Sequence, residues 1–309
     1  MNIVAPTPEA IREAADALRR GELVGMPTET VYGLAADACN PTAVRRAFEA
    51  KGRPAENPMI VHLASSADLA RACGLVPPIA KELAVRFWPG PLTLVLPKGP
   101  AIAPEVPAGR ETVAVRVPDH SVALALLRES GLMLAAPSAN RFGELSPTRA
   151  DMIEPSVAVH LALVLDGGPC RVGIESTVLD LTVSPPAILR PGGVSRAELE
   201  ALLGPLGGPD HERRSPGLYP RHYAPRARLR LVKRLGHDQP GLSLGEAAGP
   251  HQIAMPLEPE AYAARLYAGL RELDCSGAID VFVQEPPKTL PWEAVWDRLQ
   301  RASGLPEVS

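Results

Sequence analysis

Leu23-Val24-Gly25-Met26-Pro27-Thr28-Glu29-Thr30-Val31-Tyr32-Gly33-Leu34 is the stretch that decides the fold class. Leu23 to Met26 reads as a short apolar strand, and Pro27 ends it in a run carrying Thr28, Glu29 and Thr30. Hydroxyls at a strand end sit where α/β proteins place ligands. A helix precedes the strand. Thr7-Pro8-Glu9 supplies an N-cap, a first-turn proline and an acid that suits the helix dipole. Ile11, Ala14, Ala15 and Leu18 then form an apolar stripe, and Gly21 stops the helix.

The same alternation continues outward. Asn40-Pro41 starts a helix predicted to end at Lys51-Gly52, and Met59 to Leu63 reads as a strand. Pro78 to Phe87 is predicted helical, Leu92 to Leu96 and Thr112 to Val117 are strands, and Ser121 to Arg128 is a helix. Further strands are predicted at Leu132 to Ala136, Leu161 to Leu165, Ser176 to Leu181 and Ala187 to Leu189. Ser195 and Glu198 make a capping box for a helix through Leu203. Alternation of this kind predicts a mixed α/β sheet with helices packed on it.

Composition changes after residue 205. Gly204 to Arg226 is rich in Gly, Pro, Arg and His, yet contains Tyr219, His222 and Tyr223, unusual for an inert spacer. Beyond it, Leu229 to Val232, Gln252 to Met255 and Ile279 to Val283 read as strands, and Pro259 to Leu273 and Pro291 to Ala302 as helices. The division expected is 1–205, a linker at 206–227, and a small α/β domain at 228–309. A length of 309 residues fits two domains.

Hydrophobic residues make up 46% of the chain and charged residues 22%, as in a globular protein with a core. The formal net charge of −3 gives no basic field from which to argue nucleic-acid binding. Proline is abundant, 35 of 309 residues, and lysine is scarce: Lys51, Lys81, Lys98, Lys233 and Lys288. Base bias and rigid loops account for most of both. Ala5-Pro6 and Glu9 interrupt any signal-peptide pattern, and no window offers the ~18 uncharged apolar residues of a membrane span. Cys39, Cys73, Cys170 and Cys275 are far apart and form no CxxC, which argues for a reducing cytoplasm rather than a disulfide framework or zinc site.

Four constellations carry candidate chemistry. The strand-end turn at Pro27–Leu34 is the first. Lys51-Gly52-Arg53, followed by Asn57-Pro58, is the second: two cations at a helix C-terminus satisfy the dipole, but beside a polar loop they also form a phosphate clamp. His62, inside an apolar run, reads first as a core residue. The third is Thr112-Val113-Ala114-Val115-Arg116, which puts Thr112, Ala114 and Arg116 on one strand face. A buried arginine there must find a structural ion pair or line a cleft that takes an anion. The fourth is Ala136-Pro137-Ser138-Ala139-Asn140, with Ser146-Pro147-Thr148 after it, Ser176-Thr177 opening a strand and Arg190-Pro191-Gly192 ending one.

Taken in order, PTETVYGL, K-G-R-x₃-NP-x-IVH, TVAVRVP, APSAN, ESTVLD and ILRPG resemble the threonylcarbamoyl-AMP synthase family over residues 10 to 205. Ser215-Pro216-Gly217-Leu218-Tyr219-Pro220-Arg221-His222-Tyr223-Ala224-Pro225 is similar to the SPG…HYAP segment of its two-domain members, although Leu218-Tyr219-Pro220 departs from the commoner methionine-lysine-tyrosine spelling. The resemblance implies a YrdC-like domain with a twisted mixed sheet flanked by helices, and a small Rossmann-like C-terminal domain. It implies a nucleotidyltransferase that condenses L-threonine, bicarbonate and ATP into threonylcarbamoyl-adenylate, releasing pyrophosphate, for the threonylcarbamoyl modification of a tRNA adenosine. Lys51 and Arg53 would be catalytic. Arg53, Asn57, Thr112, Asn140, Ser146, Arg190 and Tyr223 would contact ATP, and Thr30, His62, Arg116, Ser138 and Ser176 would surround threonine. Arg116 suits the amino-acid carboxylate because a guanidinium fork matches it bidentately. Mg²⁺ is expected with ATP, bound mainly through phosphates, and its protein ligands stay unassigned. The partners implied are the three substrates and downstream tRNA threonylcarbamoyl-transfer proteins, with direct RNA contact left open and no membrane. The rival reading is an RNA-binding module using the same basic groove without catalysis. Against it stand the −3 charge and only 12 aromatic residues, few of them near the basic motifs.

Overall fold

In the computed structural model, described over residues 1–207 and 222–304, ten of the described strands form one mixed sheet. Their spatial order is Ile3–Val4, Leu161–Leu165, Leu23–Met26, Gly33–Asp37, Leu134–Ala135, Ile60–His62, Thr112–Arg116, Leu92–Pro97, Thr177–Asp180 and Ala187–Arg190. Ser215 to Arg221 of the expected linker string, Tyr219 among them, lie outside the described residues.

Local chemistry explains the elements that carry the site. Helix Pro8–Arg19 begins at Thr7, whose hydroxyl accepts from the Ala10 amide at 3.2 Å. Helix Pro41–Lys51 begins at Asn40, whose side chain accepts from Thr42 and Ala43, and ends at Gly52, which is left-handed at φ 57°. That stop delivers Lys51 and Arg53 together to the sheet. Strand Thr112–Arg116 is interior, parallel to Ile60–His62 on one side and antiparallel to Leu92–Pro97 on the other. Its register sets His62 directly beside Arg116.

The helix Ser121–Ser130 and the short strand Leu134–Ala135 fall where the sequence predicts them, with shifted ends. The strand Gly33–Asp37 is a correction: the PTETVYGL turn does not stay a turn but folds back antiparallel on Leu23–Met26. The polar residues are therefore held at the hairpin's tip.

The second unit is a four-stranded sheet in the order Arg228–Val232, Asp280–Gln284, Gly241–Leu244 and Gln252–Met255, with every pairing parallel. Helices Pro259–Cys275 and Glu293–Ser303 accompany it. Strand Gly241–Leu244 is a second element the sequence does not predict. This unit does not close its core alone. The buried cluster containing Tyr262, Leu266 and Leu299 also takes in Val31, Leu145, Met152 and Ile174 from the first unit. Gly173 lies against helix Pro259–Cys275 so closely that a Cβ there would stand 2.5 Å from Ala264 Cα. Among the described residues, no helix is long and apolar enough to cross a membrane.

Candidate active site

The strand ends converge on a cavity lined by Thr30, Arg53, His62, Arg116, Ser138, Ser176, Arg190, His222 and Tyr223, among others. Arg116 is its buried floor. It pairs with Glu29 at 3.2 Å, donates from Nη2 to Thr28 and Thr30 at 3.2 and 2.9 Å, and from Nε to His62 Nε2 at 2.9 Å. The structural ion pair is present, and the same side chain lines the cavity. The fork expected to meet a carboxylate bidentately is, however, mostly occupied. Of the five guanidinium N–H donors, the four bonds just described leave one.

His62 lies directly beside this fork. Because Nε2 accepts from Arg116, the ring proton belongs on Nδ1, which is buried without a partner among the described residues. Burial and the neighbouring Arg116 hold the ring well below the usual histidine range, so it is neutral. The ring lines the cavity, with the backbone of Leu134 and Ile60 against it.

Arg53 bonds the carbonyls of Asn57 and Pro58 at 3.0 and 2.7 Å and the Asn57 side chain at 2.7 Å. Asn57 Nδ2 and His222 Nδ1 are also buried and unpartnered among the described residues. Lys51 does not line the cavity. Its buried ammonium donates to the Ser138 carbonyl, to the Asn140 carbonyl at 2.6 Å and towards Asn140 Oδ1 at 3.5 Å. It thus pins the loop that presents Ser138. Burial, with Arg53 adding repulsion, pulls its pKa well below the ordinary lysine value.

Glu175 lines the cavity but sequence reasoning did not single it out. It is a buried carboxylate accepting from Ser146 Oγ at 2.6 Å, Tyr267 Oη at 3.0 Å and Arg298 Nε at 2.8 Å. Burial alone would raise its pKa; Arg298 and Arg190, with these bonds, more than offset that and bring it down to about 2. The folded pKa lies below the ordinary value, so this stabilisation is present above about pH 4.5 and lost as pH falls towards 2. The shift corresponds to roughly 3 kcal/mol. Glu175→Gln should flatten the acid limb of the stability profile in that window, as measured by denaturant unfolding at a series of pH values.

Ser176 follows Glu175, and its carbonyl accepts from Arg190 Nη2 at 3.0 Å and Nε at 3.2 Å. Gly192 makes this packing possible, since a Cβ there would be 2.3 Å from the Glu175 carbonyl oxygen. Over the top lie His222 and Tyr223. Tyr223 Oη accepts from Arg190 at 3.3 Å, and the backbone at Tyr223 is left-handed at φ 57°, a strained conformation held by its surroundings. Burial and the nearby Arg53 bring His222 down to about 3, so it packs as a neutral ring against Phe142 and Tyr223.

Of the residues singled out from sequence, Thr30, Arg53, His62, Arg116, Ser138, Ser176, Arg190 and Tyr223 line the cavity. Lys51, Asn57, Asn140 and Ser146 stand one contact behind, bonded to lining residues or their loops. Thr112 shares a strand face with Arg116, about 13 Å away along the strand, and does not line the cavity. Among the described residues no three His, Cys, Asp or Glu side chains gather as a metal site. Glu175, the acid at the wall, is already spent on three donors, so these residues do not offer Mg²⁺ a protein cage.

Guanidiniums, a neutral imidazole and hydroxyls buried together at strand ends define an α/β enzyme site built for small anionic reactants. A family model described as "Telomere recombination" matches residues 16–192, and one described as "Threonylcarbamoyl-AMP synthase, C-terminal domain" matches residues 194–304. The chain is 43% identical to the threonylcarbamoyl-AMP synthase of Bacillus subtilis, covering 95% of this chain and 93% of that one. It is 40% identical to that of Pyrococcus abyssi, covering 95% and 94%. The crystal structure of a Pyrococcus abyssi relative complexed with L-threonine matches with a TM-score of 0.88 at 37% identity, covering 98% of this chain and 96% of that one. This chain belongs to the threonylcarbamoyl-AMP synthase family.

Proposed function

We propose that this enzyme makes L-threonylcarbamoyl-adenylate from L-threonine, bicarbonate and ATP, with release of pyrophosphate, for tRNA modification. The observation that carries the reading is the juxtaposition of Arg116, Thr30 and His62 with Arg53 and Arg190 around one cavity. The first group suits an amino acid: the remaining Arg116 N–H and the His62 Nδ1–H would both donate to its carboxylate, and Thr30, Ser138 and Ser176 surround the rest. The second group suits phosphates. The threonine amine adds to the bicarbonate carbon with loss of water, and an oxygen of the new N-carboxylate attacks the ATP α-phosphorus as pyrophosphate leaves. Bringing two anions together needs preorganised positive charge more than a covalent nucleophile.

The cavity volume, about 50 Å³, is small beside the roughly 300–1,000 Å³ of ligand pockets. His222 and Tyr223 must therefore shift to admit ATP, and can close again to keep water from the labile intermediate. Mg²⁺ would supply charge neutralisation on the phosphates, carried by the nucleotide. A downstream threonylcarbamoyl-transfer system would consume the adenylate, and the four thiols, all free, suit a cytoplasmic setting. The non-catalytic RNA-binding reading gains nothing from guanidiniums buried at the floor of a small cavity. The test is pyrophosphate release assayed with and without threonine and bicarbonate. Release requiring both is expected; release indifferent to threonine would sink the proposal.

A further inference from the structure

One buried guanidinium from the second unit touches three parts of the site at once. Arg298, on helix Glu293–Ser303, is 1% exposed. Its Nε donates to Glu175, the residue before Ser176, at 2.8 Å. Its Nη1 donates to the carbonyl of Pro191, the residue after Arg190, at 3.0 Å. Its guanidinium carbon lies 5.1 Å from the centroid of the Tyr223 ring. Tyr267, on helix Pro259–Cys275, adds a hydroxyl to Glu175 and stacks on Tyr223 with centroids 6.0 Å apart.

The two segments that Arg298 ties together are also tied to each other. Arg190 donates to the Ser176 carbonyl and hydroxyl, and Glu175 holds Ser146 by its hydroxyl. Ser146 is therefore held by a carboxylate whose other two donors come from the second unit, and Arg190 is bonded to Ser176, the residue next to that carboxylate. A buried ion pair is weak evidence for stability on its own, because desolvation takes back much of the attraction. Its retention here makes sense if what it supplies is geometry.

We infer that Arg298, seconded by Tyr267, is a positioning residue for the nucleotide half of the reaction, acting through Glu175 and Pro191 on Ser146 and Arg190. On the threonine side Arg116, His62 and Thr30 have none of these contacts with Arg298 or Tyr267, and Ser176, next to Glu175 and bonded by Arg190, is reached only through its neighbours. The second unit then completes the ATP site from behind without touching substrate. This inference rests on the proposed activity, which places ATP beside Arg190.

The test compares Arg298→Lys and Tyr267→Phe with the wild-type full chain. Arg298→Lys keeps the charge but cannot reach Glu175 and Pro191 together as the planar fork does. Tyr267→Phe removes one hydroxyl and keeps the ring, so it should fold. The expected result is a loss in kcat/KM for ATP of at least tenfold for Arg298→Lys and about threefold for Tyr267→Phe. Threonine affinity, read by calorimetry without ATP, should stay within twofold. In a Glu175→Gln background Arg298→Lys should cost at least threefold less than in the wild type, since the two act in series. Equal losses in threonine affinity, a loss that merely tracks melting temperature, full additivity with Glu175→Gln, or a rise in kcat/KM for ATP would each overturn the inference. Wild-type enzyme that fails to release pyrophosphate in response to threonine and bicarbonate overturns the proposed activity, and this inference with it. An active wild type with unchanged variants overturns the inference alone.

Discussion

Arg116→Met is expected to lower threonine-dependent pyrophosphate release by about a thousandfold. The side chain is 4% exposed and orders four partners, Glu29, Thr28, Thr30 and His62. Truncating one member of a buried charged recognition pair costs about 2–5 kcal/mol, and each 1.4 kcal/mol is tenfold. The variant also loses the Nε–H donor that, by bonding His62 Nε2, fixes the ring proton on Nδ1. Stability should fall as well, by roughly 3–5 kcal/mol, because Glu29 would be left charged and unpaired in the interior. Arg116→Met with Glu29→Gln separates the two effects: denaturant unfolding should recover much of the lost stability, while pyrophosphate release should not recover. Turnover within tenfold of wild type in either variant would remove Arg116 from the threonine site.

The second large effect belongs to the Lys51–Arg53 pair, and the structure divides it. Lys51→Ala should lose at least a hundredfold in turnover without having touched a reactant. Three oxygens around Nζ lose their donor, at about 1–3 kcal/mol for each that stays buried and unsatisfied. The Ser138–Asn140 loop should shift, raising KM for both threonine and ATP, and the melting temperature should drop by several degrees. Arg53→Ala removes a cavity-lining cation whose partners are the Asn57 and Pro58 backbone and the Asn57 side chain. It should cost a comparable factor in kcat/KM for ATP alone, with the fold and threonine affinity kept. Steady-state kinetics with each substrate varied, alongside thermal melts, reads the split. Normal rates in both variants would dispose of the clamp.

Much of the architecture is legible in local sequence because its signals are local. Thr7-Pro8-Glu9, Asn40-Pro41 and the Ser195–Glu198 box mark helix starts that the structure keeps. The strand Leu161–Leu165 is read to the residue. Strands Gly33–Asp37 and Gly241–Leu244 escape notice because glycine, alanine and serine give neither β-branching nor clear alternation. The candidate site is legible where a polar residue ends a strand, as at Thr30, Ser138, Ser176 and Arg190. Glu175, Tyr267 and Arg298 are not, because their partners are distant in sequence: Glu175 and Arg298 are 123 residues apart. A signal for Arg298 does exist. It stands on the buried stripe Val295, Leu299, Ala302 at helical spacing, where a charge has no place unless something buried answers it.

Val31 sits between Thr30, which holds the Arg116 floor, and a core shared with Tyr262, Leu266 and Leu299. The boundary drawn between residues 192 and 194 by the two family models is therefore not a thermodynamic one. Detaching the second unit would strip apolar cover from Val31, Leu145, Met152 and Ile174 and unpair Glu175 in the same event. Cooperativity in this protein runs across its two sheets. The hairpin tip at the cavity is a structural member of both, so the second unit cannot melt and leave the candidate site standing.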